Sequence, residues 1–218
     1  MELHDNPGAF GGLPEAPDFA TARFAVLPLP YEGTVTWMRG TAQGPAAILA
    51  ASANMELYDI ETASEPWRAG IVTMRPVAPA DTPEEMYARI TDTAAELFAA
   101  GKIVVGLGGE HSVTAGLVEA ARRSHPGLSV LQLDAHADTR EEYEGSAYNH
   151  ACVMARVREN CGIVQVGIRS MDAAEAAGIR RSRIHYAHEI GDIGELAESV
   201  LERLGDQVYI TVDLDVFD

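Results

Sequence analysis

Short apolar runs, separated by longer stretches of helical periodicity, constrain this sequence more than any other feature. The runs cover residues 24–29, 71–74, 103–107, 128–134, 163–168 and 208–212. They are apolar throughout instead of alternating, which predicts strands covered on both faces. Between them, Thr82 reads as an N-cap, Pro83 as a first-turn proline, and Glu84 and Glu85 as acids that complement the helix dipole. Met86, Ile90, Ala94, Leu97 and Phe98 follow at helical spacing, and Gly101 terminates the helix. Further helices are predicted over 112–124 and 192–204, the latter with Leu196, Val200 and Leu204 as its apolar stripe. Strand and helix alternate, so the fold class is α/β with a mainly parallel sheet.

A chain of 218 residues suffices for one catalytic domain, placed at 23–218, preceded by an irregular Gly- and Pro-rich arm over 1–22. The arm is expected to serve subunit contacts. With 33 acidic against 16 basic residues and a formal charge of −17, nucleic acid and anionic membrane surfaces would be repelled, whereas cations would be favoured. No stretch approaches the roughly 18 apolar residues of a membrane span. Cys152 and Cys161 are too few for a disulfide framework, which points to a reducing, cytoplasmic setting.

In open parallel sheets, ligands bind beyond the carboxyl ends of the strands. Three of those ends are loaded. The run at 103–107 leads into Gly-Gly-Glu-His-Ser with His111, the run at 128–134 into Asp134, His136 and Asp138, and the run at 208–212 into Asp213 and Asp215. Brought together, four carboxylates would repel one another unless cations intervened, and two divalent ions would balance their charge. Oxygen-rich ligation with one imidazole per ion suits Mn²⁺ better than the thiolate sites of structural zinc. In an extended segment Asp134, His136 and Asp138 point to one side. Two ions about 3.5–4 Å apart could then polarise one water into a nucleophile.

These residues resemble the ureohydrolase family, arginase, agmatinase and their relatives. The signatures are GGEHS at 108–112, DAHAD at 134–138 and DLDVFD at 213–218, with an agmatinase-type segment at 30–48. The resemblance implies a three-layer αβα, arginase-like fold and two Mn²⁺ per subunit. It gives His111 and Asp138 to one manganese, His136 and Asp215 to the other, and makes Asp134 and Asp213 the bridges. It also implies that Asp138 helps move the proton of the attacking water, that His150 is a proton shuttle near the substrate, and that the chain forms a homo-oligomer, a trimer or hexamer. The activity implied is cleavage of a small cationic guanidino substrate to urea and a primary amine.

The loop after DAHAD carries Glu141, Glu142 and Glu144, which would disfavour the α-carboxylate of arginine and tolerate agmatine, giving putrescine. The same glutamates read equally well as solvated loop charges. Guanidinobutyrate, formiminoglutamate and arginine remain alternative substrates sharing the metal residues. The family pattern continues past the last motif, so the final elements of the fold and a guanidinium-gripping glutamate are expected to be missing, and a non-catalytic metal-binding or assembly subunit is the alternative of a different class. Other residues are read as structural. Cys152 is a packing residue, Glu110 orients His111 or caps the next helix, and Gly106, Gly108 and Gly109 form a tight turn, not a phosphate loop. His185 and His188 are assigned surface or core roles.

Overall fold

The computed structural model of the protein describes residues 8–13 and 17–217. Residues 1–7 and 14–16 of the N-terminal arm and Asp218 of the last motif lie outside the described residues. The chain divides into two compact units, one ending at Val113 and the other beginning at Thr114.

The first unit is built on β1 (Phe24–Leu29), flanked in parallel by β2 (Ile71–Thr73) and β3 (Ile103–Gly108). Two helices serve it, α1 (Gly44–Ser52) and α2 (Pro83–Ala99). Helix α2 follows the sequence expectation. The Thr82 hydroxyl accepts from the Glu85 amide at 3.2 Å, Met86, Ile90, Ala94 and Leu97 are buried, and Gly101 takes a positive φ of 73° just beyond its end. Part of the N-terminal arm is tied to this unit. The Phe10 amide donates to Thr73 Oγ1, the Gly11 amide donates to Ser52 Oγ, and Leu13 and Ala22 are buried. Buried Lys102 donates its ammonium to the Phe19 and Ala22 carbonyls.

The second unit takes in nearly all of α3 (Val113–Ser124) and the four-stranded parallel sheet β6-β5-β4-β7. Its strands are β4 (Ser129–Leu133), β5 (Gly162–Ile168), β6 (Ile184–Tyr186) and β7 (Val208–Val212), and its remaining helices are α4 (Val153–Arg158), α5 (Ala173–Gly178) and α6 (Ile193–Leu201). Helix α6 ends earlier than its periodicity predicts, yet Leu204 still packs with Leu196 against Val164, Val166 and Val200. Every strand pair in both sheets is parallel.

One expectation fails in part. Strands β3 and β7 each end their sheet and alternate in exposure, with Val105 and Ile210 open to solvent, so these two runs are not covered on both faces. Apolarity without alternation reads as double coverage, but here one row of each strand lacks a covering element among the described residues.

Candidate metal centre

Parallel pairing of β4 with β7, with Leu133 opposite Val212, sets two acidic strand ends side by side. The Asp213 amide donates to the Leu133 carbonyl at 2.9 Å, which fixes that register one residue past β7. Asp134 is almost fully buried, and both of its carboxylate oxygens accept hydrogen bonds, from the His136 amide at 2.7 Å and from Gln132 Nε2 at 2.8 Å. Asp215 accepts from the Ala135 amide at 3.0 Å, and its other oxygen lies 2.8 Å from His136 Nδ1. Asp134, His136 and Asp215 each present a ligand atom, all within 4.8 Å of one another.

The electrostatics follow from that crowding. Burial raises the Asp215 carboxyl above its ordinary pKa, and the neighbouring charges of Asp213 and Asp134 raise it further, against the Ala135 amide and His136. Three carboxylates and an imidazole in one half-open place form a hard N/O donor set with surplus negative charge, which a divalent cation relieves. The residues present therefore fit the metal that the sequence implies.

The remaining sequence-predicted residues are placed as follows. His111 lies in the first unit, in the turn between β3 and α3. Glu110 beside it is buried and accepts from the Thr34 amide at 2.8 Å, from the Thr34 hydroxyl at 2.6 Å and from the Ser112 hydroxyl. It thus ties the turn to the 30–34 segment. A Cβ on Gly109 would meet the Tyr31 carbonyl at 2.3 Å, so only glycine fits this turn. Asp138 is buried but has a φ of 51°, and its carbonyl accepts from the Met154 amide at 2.8 Å. The backbone therefore leaves the extended conformation at 138.

His150 opens a short 3-10 turn in which the Ala151 amide donates to Asn149 Oδ1 at 3.1 Å. The Tyr143 ring stands edge-on to His150, centroids 6.2 Å apart, and the Arg140 guanidinium lies 4.6 Å over the Tyr143 ring. Arg140 in turn reaches Asp172 at 3.4 Å and Glu175 at 3.6 Å. Glu141 pairs with Arg158 and Arg156, and the Arg158 hydrogen bond holds its carboxyl below the usual range. Of the three loop glutamates, Glu141 is therefore already neutralised, and the sequence argument against a substrate carboxylate narrows to Glu142 and Glu144. Cys152 is fully buried and burial pushes its thiol up to about 11, as befits a packing residue. His185 lies on β6, and His188 stacks on Tyr186 beside Glu189.

Sequence reasoning missed Gln132 and Gln165. Both are buried, and they face each other in register on β4 and β5. Gln165 Nε2 donates to Gln132 Oε1 at 2.5 Å and to the Ala137 carbonyl at 2.8 Å, while Gln132 Nε2 also reaches the His136 carbonyl at 3.2 Å. The available signal was an amide interrupting each of two apolar runs, Val-Leu-Gln-Leu and Ile-Val-Gln-Val.

Comparison with known proteins agrees with this architecture. The chain is 40% identical over 211 residues to an N(1)-aminopropylagmatine ureohydrolase of Thermus thermophilus, covering 95% of this chain and 72% of the relative. It is 38% identical over 212 residues to the enzyme of that name from Synechocystis, covering 92% of this chain and 69% of the relative. Among solved structures, the agmatine ureohydrolase of Thermoplasma volcanium superposes with a TM-score of 0.81 at 28% identity, covering 91% of this chain and 69% of that one. The αβα, arginase-like fold expected from the sequence is the fold of the chain. The arginase family model matches residues 22–218, and the chain belongs to that family as a ureohydrolase.

Proposed function

We propose that this ureohydrolase cleaves the guanidino group of an agmatine-type substrate, one without an α-carboxylate, releasing urea and a primary amine with the help of two Mn²⁺. The observation that carries the reading is the meeting of Asp134, His136 and Asp215, with Asp213 and Asp134 raising the Asp215 carboxyl. In the second unit Asp134, His136, Asp138, Asp213 and Asp215 would hold the ions. When bound, the metal pair supplies Lewis acidity that makes water nucleophilic near neutral pH.

The chain's own residues do the rest. A guanidinium carbon is a poor electrophile because its positive charge is spread over three nitrogens, so the attacking water must be held and deprotonated. Asp138 takes that proton and hands it toward the departing nitrogen, which must leave as an amine. His150 shuttles protons beside it, and Glu142 and Glu144 disfavour a carboxylate on the substrate tail. Names of relatives support two tails. The identities of 40% and 38% to N(1)-aminopropylagmatine ureohydrolases favour the aminopropyl derivative as the second reading beside agmatine itself.

Urea release from agmatine, N(1)-aminopropylagmatine, guanidinobutyrate and arginine, and formamide release from formiminoglutamate, all with Mn²⁺ present, test this. Agmatine or its aminopropyl derivative should lead, and no urea from any guanidine would contradict the reading. Asp134→Asn should lose at least one manganese. His150→Ala should keep the metal and lose turnover by roughly 10²–10⁴-fold, whereas loss of metal from that variant would contradict the role given to His150.

A further inference from the structure

Two primary amides in the middle of apolar parallel strands are costly to bury unless their donors and acceptors are met. Gln132 and Gln165 are buried to this degree, and cross-strand register sets them opposite one another. Their hydrogen bonds run in one direction. The His136 carbonyl can only accept, so Gln132 must present its NH₂ to it and to Asp134 Oδ2 and turn its own carbonyl toward Gln165. That carbonyl can only accept, so Gln165 must present its own NH₂, and the Ala137 carbonyl reached by the same nitrogen demands the same orientation. The amide orientations are thus fixed by chemistry, not chosen freely.

From this network we infer that Gln132, backed by Gln165, is a positioning residue that holds the Asp134 carboxylate in a single cation-ready orientation. The pair acts from beneath the strand end. Gln132 Nε2 also reaches the His136 carbonyl and Gln165 Nε2 the Ala137 carbonyl, so the backbone that carries His136 is held by the same two amides. Oxygen Oδ1 of Asp134 is meanwhile held by the His136 amide, which leaves little rotational freedom to the carboxylate. Apolar residues at 132 and 165 would satisfy the strands equally well, and what they would lose is the fixed donor to Asp134. The inference rests on the metal-binding reading proposed above.

The test is Mn²⁺ binding to the metal-free full chain by titration calorimetry, with unfolding of the metal-free proteins followed by circular dichroism. Gln132→Met keeps length and removes the donor, and it should weaken binding of at least one ion about 10–100-fold. Gln165→Met should weaken it by a smaller factor, and the double variant should match Gln132→Met, because Gln165 acts through Gln132. A purely structural role would lower the unfolding temperature and leave affinity alone. Binding within about twofold of wild type in a folded Gln132→Met overturns the inference, as does an additive double variant. If Gln132→Met does not fold, Gln165→Met decides alone, and unchanged affinity there overturns it. A wild-type chain that takes up no Mn²⁺ overturns the metal reading itself and the inference with it, an outcome distinct from the others.

Discussion

Asp134 and Asp215 sit one strand apart and meet different surroundings. Asp134 receives donors on both oxygens, whereas Asp215 is raised by burial and by its acidic neighbours. The residue types of this centre were legible in the sequence because each closes an apolar run or sits within four residues past one. Their partners were less so. Glu141 looked like a free loop charge, and only the fold brings Arg156 and Arg158 onto it from α4, 15 and 17 residues away. Neutralising Glu141 by Glu141→Gln should therefore change substrate preference less than Glu142→Gln or Glu144→Gln, as read from relative kcat/KM on agmatine and arginine. A larger shift from Glu141→Gln would count against this assignment. Titration adds a prediction of its own. Burial pushes the Cys152 thiol from 9.0 to about 11 and, with help from Glu110 and Glu84, the Tyr31 phenol from 10.0 to about 12. Both groups hold their protons more tightly when folded, so the stability they contribute is complete below about pH 9 and lost as pH rises through the folded values. Unfolding temperatures measured from pH 8 to 11 should fall over this range, and Cys152 should resist thiol reagents at pH 8 until the chain unfolds.

Helices and strands were legible in proportion to the strength of their local signals. Helix α2 carries a cap, a first-turn proline and a clear apolar stripe, and it appears where those marks put it. Helix α5 is short, but Asp172 and Glu175 form a capping box whose Asp-x-x-Glu spacing could have announced it. Helix α1, Gly-Pro-Ala-Ala-Ile-Leu-Ala-Ala-Ser, has no apolar stripe to read, and β6 is only three residues long. The alternation of β3 and β7 was hidden because their exposed positions are also apolar. At this scale Leu97→Ala should destabilise the first unit by about 2–5 kcal/mol through the cavity it leaves. Thr82→Ala should cost about 1 kcal/mol through the lost cap. Chemical denaturation of both variants checks the ranking, and equal effects would contradict the burial assigned to Leu97.

For the molecule as a whole, a formal charge of −17 and a crowded acidic centre make cation binding and stability one problem. A ligand that binds only the folded state at 100 times its dissociation constant adds about 2.7 kcal/mol. For a chain of this size that corresponds to a rise in unfolding temperature of roughly 5–11 °C. Saturating Mn²⁺ should produce such a rise in wild type and a smaller one in Asp134→Asn. Light scattering of the purified chain should give a trimer or hexamer, as the resemblance to the family implies. Among the described residues no helix is long and apolar enough to cross a membrane. The central claim is most directly met by metal content. After loading with Mn²⁺ and exhaustive dialysis, elemental analysis should find two manganese per chain in wild type and fewer in Asp134→Asn and Asp213→Asn. Wild-type protein that retains none, or variants that retain the full complement, would contradict the account.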